Sequence, residues 1–270
     1  KRAAWGHSRK VIEWRRVCIM ARSTGSAKPS MLRLLVHRLF KALLWFAAGS
    51  AVLVLIFRWV PPPGTALMVE RKVESWFDGQ PIDLQRSWRP WDEISNDLKV
   101  AVIAGEDQKF AEHWGFDLSA IRAAFVHNER GGTLRGASTL SQQVAKNLFL
   151  WSGRSWLRKG LEAWFTGLIE VLWPKQRILE VYLNSAEWDD GVFGAEAAAQ
   201  HHFGVSAARL SRQQASQLAA VLPNPRNWSA GRPSAYVSTR AAWIRQQMRQ
   251  LGGDSYLDTL NNSRQAPWAL

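Results

Sequence analysis

The stretch GASTLSQQVAKN, residues 136–147, combines hydroxyls, two adjacent amides, a lysine and an asparagine with a narrow apolar stripe. Thr139 and Gln142 have the spacing of a capping box, so a helix is predicted to begin here. Its inward face is expected to consist of Leu140, Val144 and Leu148. Neighbouring amides and one lysine suit hydroxyls, carbonyls and an anion better than they suit water. From these residues alone, a ligand-binding face and a polar surface helix are equally good interpretations.

The composition supports a packed domain and excludes thiol chemistry. Of the 270 residues, 47% are hydrophobic, which is enough to supply a core. Cys18 is the only cysteine in the sequence, so neither an intrachain disulfide nor a thiol-rich metal site can form. The histidines lack HExxH spacing, and the neighbours His201 and His202 are expected to point in different directions on a helix.

The net charge of +13 is unevenly distributed along the chain. Residues 1–41 contain eleven Lys or Arg and one acid, Glu13, which gives this arm a charge of +10 and leaves +3 for the rest. A nucleic-acid groove needs its positive charge on a folded surface. Because the excess lies in an N-terminal arm, we expect no nucleic-acid partner.

An apolar segment follows the basic arm. Residues 42–57 are all uncharged, and extension through Arg58 to Val60 gives nineteen residues, about 28 Å as a helix and close to the thickness of a bilayer core. We therefore predict a single transmembrane helix, with the lipid bilayer as a partner. Lys and Arg precede it, so the N-terminus is expected in the cytoplasm and the rest outside. A cleavable signal peptide and a buried soluble helix are the alternatives; the length of the segment and the prolines after it favour the anchor.

The chain is predicted to have five segments. They are a basic cytoplasmic arm, a transmembrane helix, a Pro-rich stalk, the main domain and a C-terminal tail, at residues 1–38, 39–60, 61–67, 68–253 and 254–270. No fold is assigned to residues 1–30, which are either a cytoplasmic tail or sequence upstream of a start at Met31.

The main domain has helical periodicity nearly throughout, without alternating strand patterns, and its fold class is all-α. Helices are predicted over residues 68–77, 91–107, 117–130, 139–148, 155–173, 174–182, 211–222 and 234–251, and a loop over residues 78–91. In the first helix, Val69, Val73 and Phe77 form a stripe that either packs against the domain or faces the membrane.

Two adjacent acids in GEDQKFAEHWGFD, residues 105–117, are candidates for proton transfer. Glu106 and Asp107 fall where a helix ends, near aromatic residues that can keep a carboxylate partly dry and raise its pKa. The alternative is an acidic pair on the surface. His113 is interpreted as a hydrogen-bonded structural residue, because no companion metal ligands surround it.

Cations cluster in GRSWLRKGLEAW, residues 153–164. Arg154, Arg158 and Lys159 lie at the start of a helix, where the partial positive charge of the helix makes them unfavourable unless an anion such as a diphosphate binds there. The alternative is a surface pair between Arg158 and Glu162. A fourth segment, residues 174–188, is interpreted mainly as scaffold, with polar groups at Glu180, Tyr182 and Asn184.

Taken in order, four segments resemble the motifs of the peptidoglycan glycosyltransferases of family 51. They are EDQKFAEHWG, GASTLSQQVAKN, RKGLE and KQRILEVYLN, at residues 106–115, 136–147, 158–162 and 175–184. The resemblance runs from about Met68 to Gly253. It implies a lysozyme-like helical domain with a small membrane-proximal lobe. The chain has no room for a transpeptidase domain, so a monofunctional member of the family is expected.

The resemblance also implies a reaction and a location. The growing glycan chain and lipid II react on the outer face of the bacterial inner membrane, undecaprenyl diphosphate leaves, and a β-1,4 linkage forms with inversion. A membrane-anchored muramidase or lytic transglycosylase and a non-catalytic cell-wall scaffold are the alternatives. The anchor is compatible with partners from the cell-division or cell-wall machinery.

The same resemblance implies roles for individual residues. Glu106 is the expected general base, and Glu162 is a second catalytic residue that orients groups or helps to hold a divalent cation, Mg or Mn. Residues expected to bind substrate are Asp107, Phe110, Ser138, Gln142, Gln143, Lys146, Asn147, Arg154, Arg158 and Lys159. Residues expected to maintain the motifs are His113, Gly115, Glu180, Tyr182 and Asn184. Residues 185–192, SAEWDDGV, depart from the family pattern, so Trp188 or Asp189 is a candidate for contact with the acceptor.

Overall fold

A computed structural model describes residues 31–129, 138–153 and 155–262 of the chain. The chain divides into two compact units, residues 1–49 and residues 50–270. The described part of the first unit is helical. All further elements belong to the second unit, which includes the region expected to form the small lobe.

The described residues contain eleven α-helices, numbered here in chain order. They are α1 Met31–Phe57, α2 Ala66–Phe77, α3 Asn96–Glu106, α4 Leu118–Glu129, α5 Leu140–Phe149, α6 Trp156–Leu172, α7 Lys175–Ser185, α8 Ala195–Phe203, α9 Arg212–Val221, α10 Ala235–Gln250 and α11 Ser255–Asn262. The predicted all-α class is confirmed, and the helical domain is consistent with the lysozyme-like expectation.

Helix α1 is long and apolar enough to cross a membrane, with 27 residues and a mean hydropathy of 2.2. It begins at Met31 rather than at residue 39, because the basic residues before the apolar run do not interrupt a helix. It ends at Phe57 rather than at Val60. The guanidinium of Arg177 donates hydrogen bonds to the carbonyls of Phe57, at 2.9 and 3.1 Å, and of Val60, at 3.1 Å, and so satisfies carbonyls left free at the helix end.

Helix α2 presents an apolar face to its surroundings. Thr65 caps it, because its hydroxyl accepts a hydrogen bond of 3.0 Å from the amide of Met68, so the stalk ends two residues earlier than predicted. Val69, Val73 and Phe77 are 63%, 45% and 77% exposed. The interpretation that this stripe packs against the domain is therefore wrong.

Helix α3 is the central element of the second unit. All side chains from Leu98 to Ala104 are buried, and helices α9 and α10 pack along it, while α5 packs against α6 and α7. The helix begins after Ser95, whose hydroxyl accepts a hydrogen bond from the amide of Leu98, and not near Asp92 as predicted. Trp91–Glu93 instead form a separate 3₁₀ turn.

The prediction of a domain without strands is wrong in two stretches of the chain, residues 85–86 and residues 187–193. A small sheet joins β1 Gln85–Arg86, β3 Val192–Phe193 and β2 Glu187–Asp189 in that order, with β1 parallel and β2 antiparallel to β3. The first strand lies within the predicted loop. Strands of two or three residues are too short to show an alternating pattern in the sequence.

Two helices were not predicted. Helix α8 is alanine-rich, and most of its first half is buried, so it lacks the amphipathic period that predicts a helix. Helix α11 lies within the predicted tail, yet Tyr256, Leu257 and Leu260 belong to the hydrophobic core. The folded domain therefore extends beyond Gly253.

Candidate active site

Glu106 is the last residue of α3, and its two carboxylate oxygens face different helices. The side-chain amide of Gln143 on α5 donates a hydrogen bond of 3.0 Å to Oε2, while Oε1 lies 3.8 Å from Nη2 of Arg240 on α10. Burial raises the pKa of Glu106, and the neighbouring Asp107 raises it further. The hydrogen bond from Gln143 and the charge of Arg240 oppose this shift. The carboxylate is thus mostly dry but keeps two groups that favour its ionised form.

A second hydrogen bond fixes the amide of Gln143. The hydroxyl of Tyr182 on α7 donates to Oε1 of Gln143 at 3.1 Å, so the NH₂ end of the amide is directed at Glu106. Tyr182 is buried, and desolvation together with the charge of Glu106 keeps its pKa well above the usual value. The hydroxyl therefore stays protonated as a donor at neutral pH.

A cleft of about 390 Å³ opens beside Glu106. Ser138 and Thr139, which precede α5, line it together with Asp117 and Trp243. Ser138 is exposed there and therefore available to a ligand. The cleft combines carboxylates, hydroxyls and an aromatic ring, which are groups that suit a sugar.

Asp107 lines the same cleft, but its carboxylate is engaged in contacts within the protein. Its carboxylate accepts a hydrogen bond of 3.0 Å from the amide of Leu140, the first residue of α5, and lies 2.9 Å from Nε2 of His113. The side chain of Asp107 is only 3% exposed. A negative charge at the N-terminus of α5 stabilises that helix.

Phe110 also lies in the core and not at the cleft. Its ring is fully buried, with the ammonium of Lys175 4.6 Å from the ring centre. Lys175 in turn donates hydrogen bonds to the carbonyl of His113, at 2.6 Å, and to Glu170, at 2.8 Å. Burial lowers the pKa of Lys175, while the charge of Glu170 opposes that shift. This buried cluster was not predicted.

Gln142 forms the predicted capping box and has no exposed amide to offer a ligand. Its side-chain Oε1 accepts a hydrogen bond of 3.1 Å from the backbone N–H of Thr139, and the backbone N–H of Gln142 donates to the hydroxyl of Thr139. Asn147 is buried on the same helix. Of the two adjacent glutamines, Gln143 is therefore the one whose side chain contacts Glu106.

Glu162 lies between two cations. Nη1 of Arg158 donates to its Oε2 at 2.7 Å, and the ammonium of Lys159 donates to its Oε1. The side chain of Glu162 is only 4% exposed, so this is not the surface pair considered from the sequence. Arg154, the third expected cation, lies outside the described residues.

Lys146 on α5 faces the same group of charges. Desolvation lowers its pKa even though part of the side chain remains open to solvent, Glu162 raises the pKa, and Arg158 and Lys159 lower it. Gln143 and Lys146 are three positions apart on α5 and therefore neighbours on one helix face. This face connects the carboxylate of Glu106 with the cation cluster of Lys146, Arg158 and Lys159.

Glu162 does not fit the expected divalent cation as a direct ligand. Mg²⁺ is usually bound by carboxylates together with waters or substrate phosphates. Both carboxylate oxygens of Glu162 already accept hydrogen bonds from cations, and Lys146 adds further positive charge. The cluster is suited to an anion.

The remaining motif residues brace the domain. Glu180 lies 3.0 Å from Arg177, which holds the end of α1. Asn184 exchanges hydrogen bonds of 2.8 Å with both the amide and the carbonyl of Arg89. These contacts connect α7 to the segments before α2 and before α3.

Trp188 is fully buried, so the proposed contact of this residue with an acceptor is wrong. Asp189 lies near both histidines, with its Oδ2 3.3 Å from Nε2 of His202 and 3.8 Å from Nε2 of His201. The expectation that the two rings point apart is therefore also wrong. Gly231 donates an amide hydrogen bond to Nδ1 of His202, which leaves the proton of the neutral ring on Nε2, facing Asp189. That tautomer favours a histidine–aspartate contact over a metal site.

Comparisons with known proteins identify the family of this chain. The family model described as Transglycosylase matches residues 74–249, a range that includes Glu106, Lys146, Glu162 and Arg240. The biosynthetic peptidoglycan transglycosylase of Pseudomonas fluorescens strain Pf0-1 is 82% identical over 88% of this chain and 100% of its own length. The protein of the same name from Pseudomonas syringae pv. tomato is 78% identical over 87% of this chain and 99% of its own length.

The fold, the site and these matches define a glycosyltransferase with an apolar N-terminal helix of membrane-spanning length. The chain belongs to the transglycosylase family, and the resemblance to the peptidoglycan glycosyltransferases of family 51 is confirmed.

Proposed function

We propose that this chain polymerises lipid II into β-1,4 glycan strands, with inversion at the donor carbon and release of undecaprenyl diphosphate. The names of the relatives support peptidoglycan as the product. The observation that carries the proposal is the shared face of α5: Gln143 contacts Glu106, and Lys146, three residues on, faces the cluster around Glu162. A base and an anion-binding group therefore lie on one element.

Glu106 is the proposed general base. Its carboxylate accepts the proton of the acceptor's 4-hydroxyl as that oxygen bonds to C1 of the donor sugar. The bond between C1 and the diphosphate oxygen breaks, and the diphosphate leaves with the electron pair. A raised pKa brings the base closer to neutrality, where proton transfer is most effective. Glu106 must be ionised to act, which is the state that Gln143 and Arg240 favour.

Lys146, Arg158 and Lys159 are the proposed diphosphate-binding residues, joined by Arg154 from outside the described part of the chain. Positive charge stabilises the negative charge that develops on the leaving diphosphate, so this departure needs no proton donor. Glu162 holds Arg158 and Lys159 in place through both of its oxygens. One carboxylate among three cations leaves a net positive charge for the ligand.

The location follows from the anchor. The basic residues before the apolar part of α1 support a cytoplasmic N-terminus and a catalytic domain on the outer face of the inner membrane. Lipid II and the growing strand are held in the same bilayer by their lipid tails, so the exposed apolar face of α2 supports access from the membrane.

Polymerisation of labelled lipid II by the full chain in detergent, followed on a gel, tests the proposal. Wild type should produce long glycan, and Glu106→Gln should reduce polymerisation at least about 100-fold, the typical contribution of a general base. Glu112→Gln is the matched control, because this exposed glutamate lies on the same segment outside the cleft. Undiminished polymer from Glu106→Gln would reject the base, and shortening of preformed glycan by wild type would favour a muramidase.

A further inference from the structure

Arg240 contacts the end of α3 at two points. Its Nη2 lies 3.8 Å from Oε1 of Glu106 and donates a hydrogen bond of 3.4 Å to the carbonyl of Gly105. Glu106 is 13% and Arg240 25% exposed, so water only partly screens the ion pair. Nε of Arg240 is buried and has no hydrogen-bond partner among the described residues, so within that part of the chain no contact of this atom competes with these two.

Close packing of α10 on α3 sets this geometry. A Cβ added to Gly105 would lie 3.3 Å from Cδ1 of Ile244, which is tighter than an ordinary contact, and 3.9 Å from Cβ of Ala219. Ile244 follows Arg240 by one helical turn and therefore lies on the same face of α10. A residue without a side chain at position 105 allows α10 to approach until Arg240 reaches Glu106.

The charged, titratable and hydrogen-bonding groups around Glu106 come from three helices and the residue after α3. Asp107 repels the carboxylate, Tyr182 on α7 stays neutral, and Gln143 on α5 contributes a neutral donor. Among the described residues, Arg240 on α10 is the cation whose charge acts on Glu106. It therefore opposes both desolvation and the repulsion from Asp107.

We infer that Arg240 is a positioning residue for glycosyl transfer, which keeps the Glu106 carboxylate ionised and oriented towards the acceptor. The inference rests on the proposed role of Glu106 as base. Arg240 acts through Glu106 and has no required contact with the sugar. Its loss should therefore change the pH dependence of the reaction more than the affinity for substrate.

The test is the pH profile of polymerisation by the full chain in detergent. Removing the positive charge in Arg240→Gln should raise the pKa of Glu106, so the base stays protonated to a higher pH. The acidic limb of the kcat profile should therefore shift upwards by about one pH unit. KM should change less than about threefold, and Arg240→Lys should restore most of the limb. The matched control is Arg245→Gln on the same helix, since Arg245 bonds Ser216 and not Glu106; its limb should not move.

A measurement without turnover separates the two proposals. At pH 8, Arg240→Gln should lower Tm more in the wild-type background than in the Glu106→Gln background, and this difference should vanish near pH 4. Suppose that Glu106→Gln is inactive. If Arg240→Gln then leaves the acidic limb of kcat in place, or lowers Tm equally in both backgrounds, the role of Arg240 is overturned and the role of Glu106 stands. Polymer from Glu106→Gln overturns the base and, with it, the role of Arg240.

Discussion

The hydroxyl of Thr139 donates a hydrogen bond of 2.6 Å to the carbonyl of Gly115. This bond joins the segment that contains Glu106 to the start of α5, so the cleft depends on the backbone at Gly115. The residue has a φ of +79°, and a Cβ there would lie 2.6 Å from Cγ2 of Thr166. Backbone and packing both require glycine at this position.

Gly115→Ala should destabilise the domain by about 2 kcal/mol or more, because it combines a left-handed backbone with a steric clash. Urea unfolding in detergent measures the loss. Gly167→Ala, within α6 and with open space around its Cα, is the control and should leave stability unchanged or raise it by about 1 kcal/mol. Equal effects of the two substitutions would contradict the structural argument.

Tyr182→Phe should lower kcat about tenfold or more with little change in KM. The change leaves Oε1 of Gln143 without its donor, and the amide can then turn its oxygen towards Glu106. An unsatisfied buried acceptor costs about 1–3 kcal/mol, which sets the scale. Initial rates of polymerisation check this, with the exposed Tyr236→Phe as control; a wild-type kcat would show that the hydroxyl does not position the amide.

Lys146→Ala should weaken binding of the diphosphate and raise KM for lipid II at least about tenfold, the effect of losing about 1.4 kcal/mol of charge-assisted contact. Competition by undecaprenyl diphosphate should weaken in parallel. Lys72→Ala on α2 removes an exposed lysine outside the cluster and should change neither quantity. If undecaprenyl diphosphate competed equally well against Lys146→Ala and wild type, Lys146 would not belong to the diphosphate site.

Glu106→Gln should raise the Tm of the protein at pH 8 and leave it unchanged near pH 4. Burial raises the pKa of Glu106 in the folded state, so folding favours its protonated form. The ionised carboxylate therefore lowers the stability of the folded state. This loss of stability is absent at a pH below the pKa of Glu106 in the unfolded state and is fully present above its pKa in the folded state. Calorimetry across this range measures it. A variant less stable than wild type at pH 8 would show that the ionised carboxylate stabilises the fold.

Local patterns were sufficient to predict much of this domain. The capping box of Thr139 and Gln142 and the buried stripe of α5 depend on residues within two turns of each other, and both are found as predicted. The proximity of Arg158 and Glu162 is likewise a property of one helix. Interactions of this range are encoded in sequence spacing alone.

Which of the two neighbouring acids would contact Gln143 was not predictable. Glu106 is the last residue of α3, whereas Asp107 has a φ of −158°, outside the helical range, and turns into the protein to bond Leu140. Arg240 lies 134 positions from Glu106 in the chain and belongs to no motif recognised in the sequence. Its contribution follows from how α10 packs on α3, which no spacing rule contains.

The side-chain amide of Gln143 also determines where a proton can go. An amide accepts at its oxygen and donates at its nitrogen, and here both ends are already engaged, by Tyr182 and by Glu106. The amide cannot pass a proton from the carboxylate of Glu106 to the phenol of Tyr182, so no proton leaves the site through Gln143. A proton taken from a sugar must escape through the open side of the cleft into bulk water, and each round of elongation therefore depends on solvent returning to that opening.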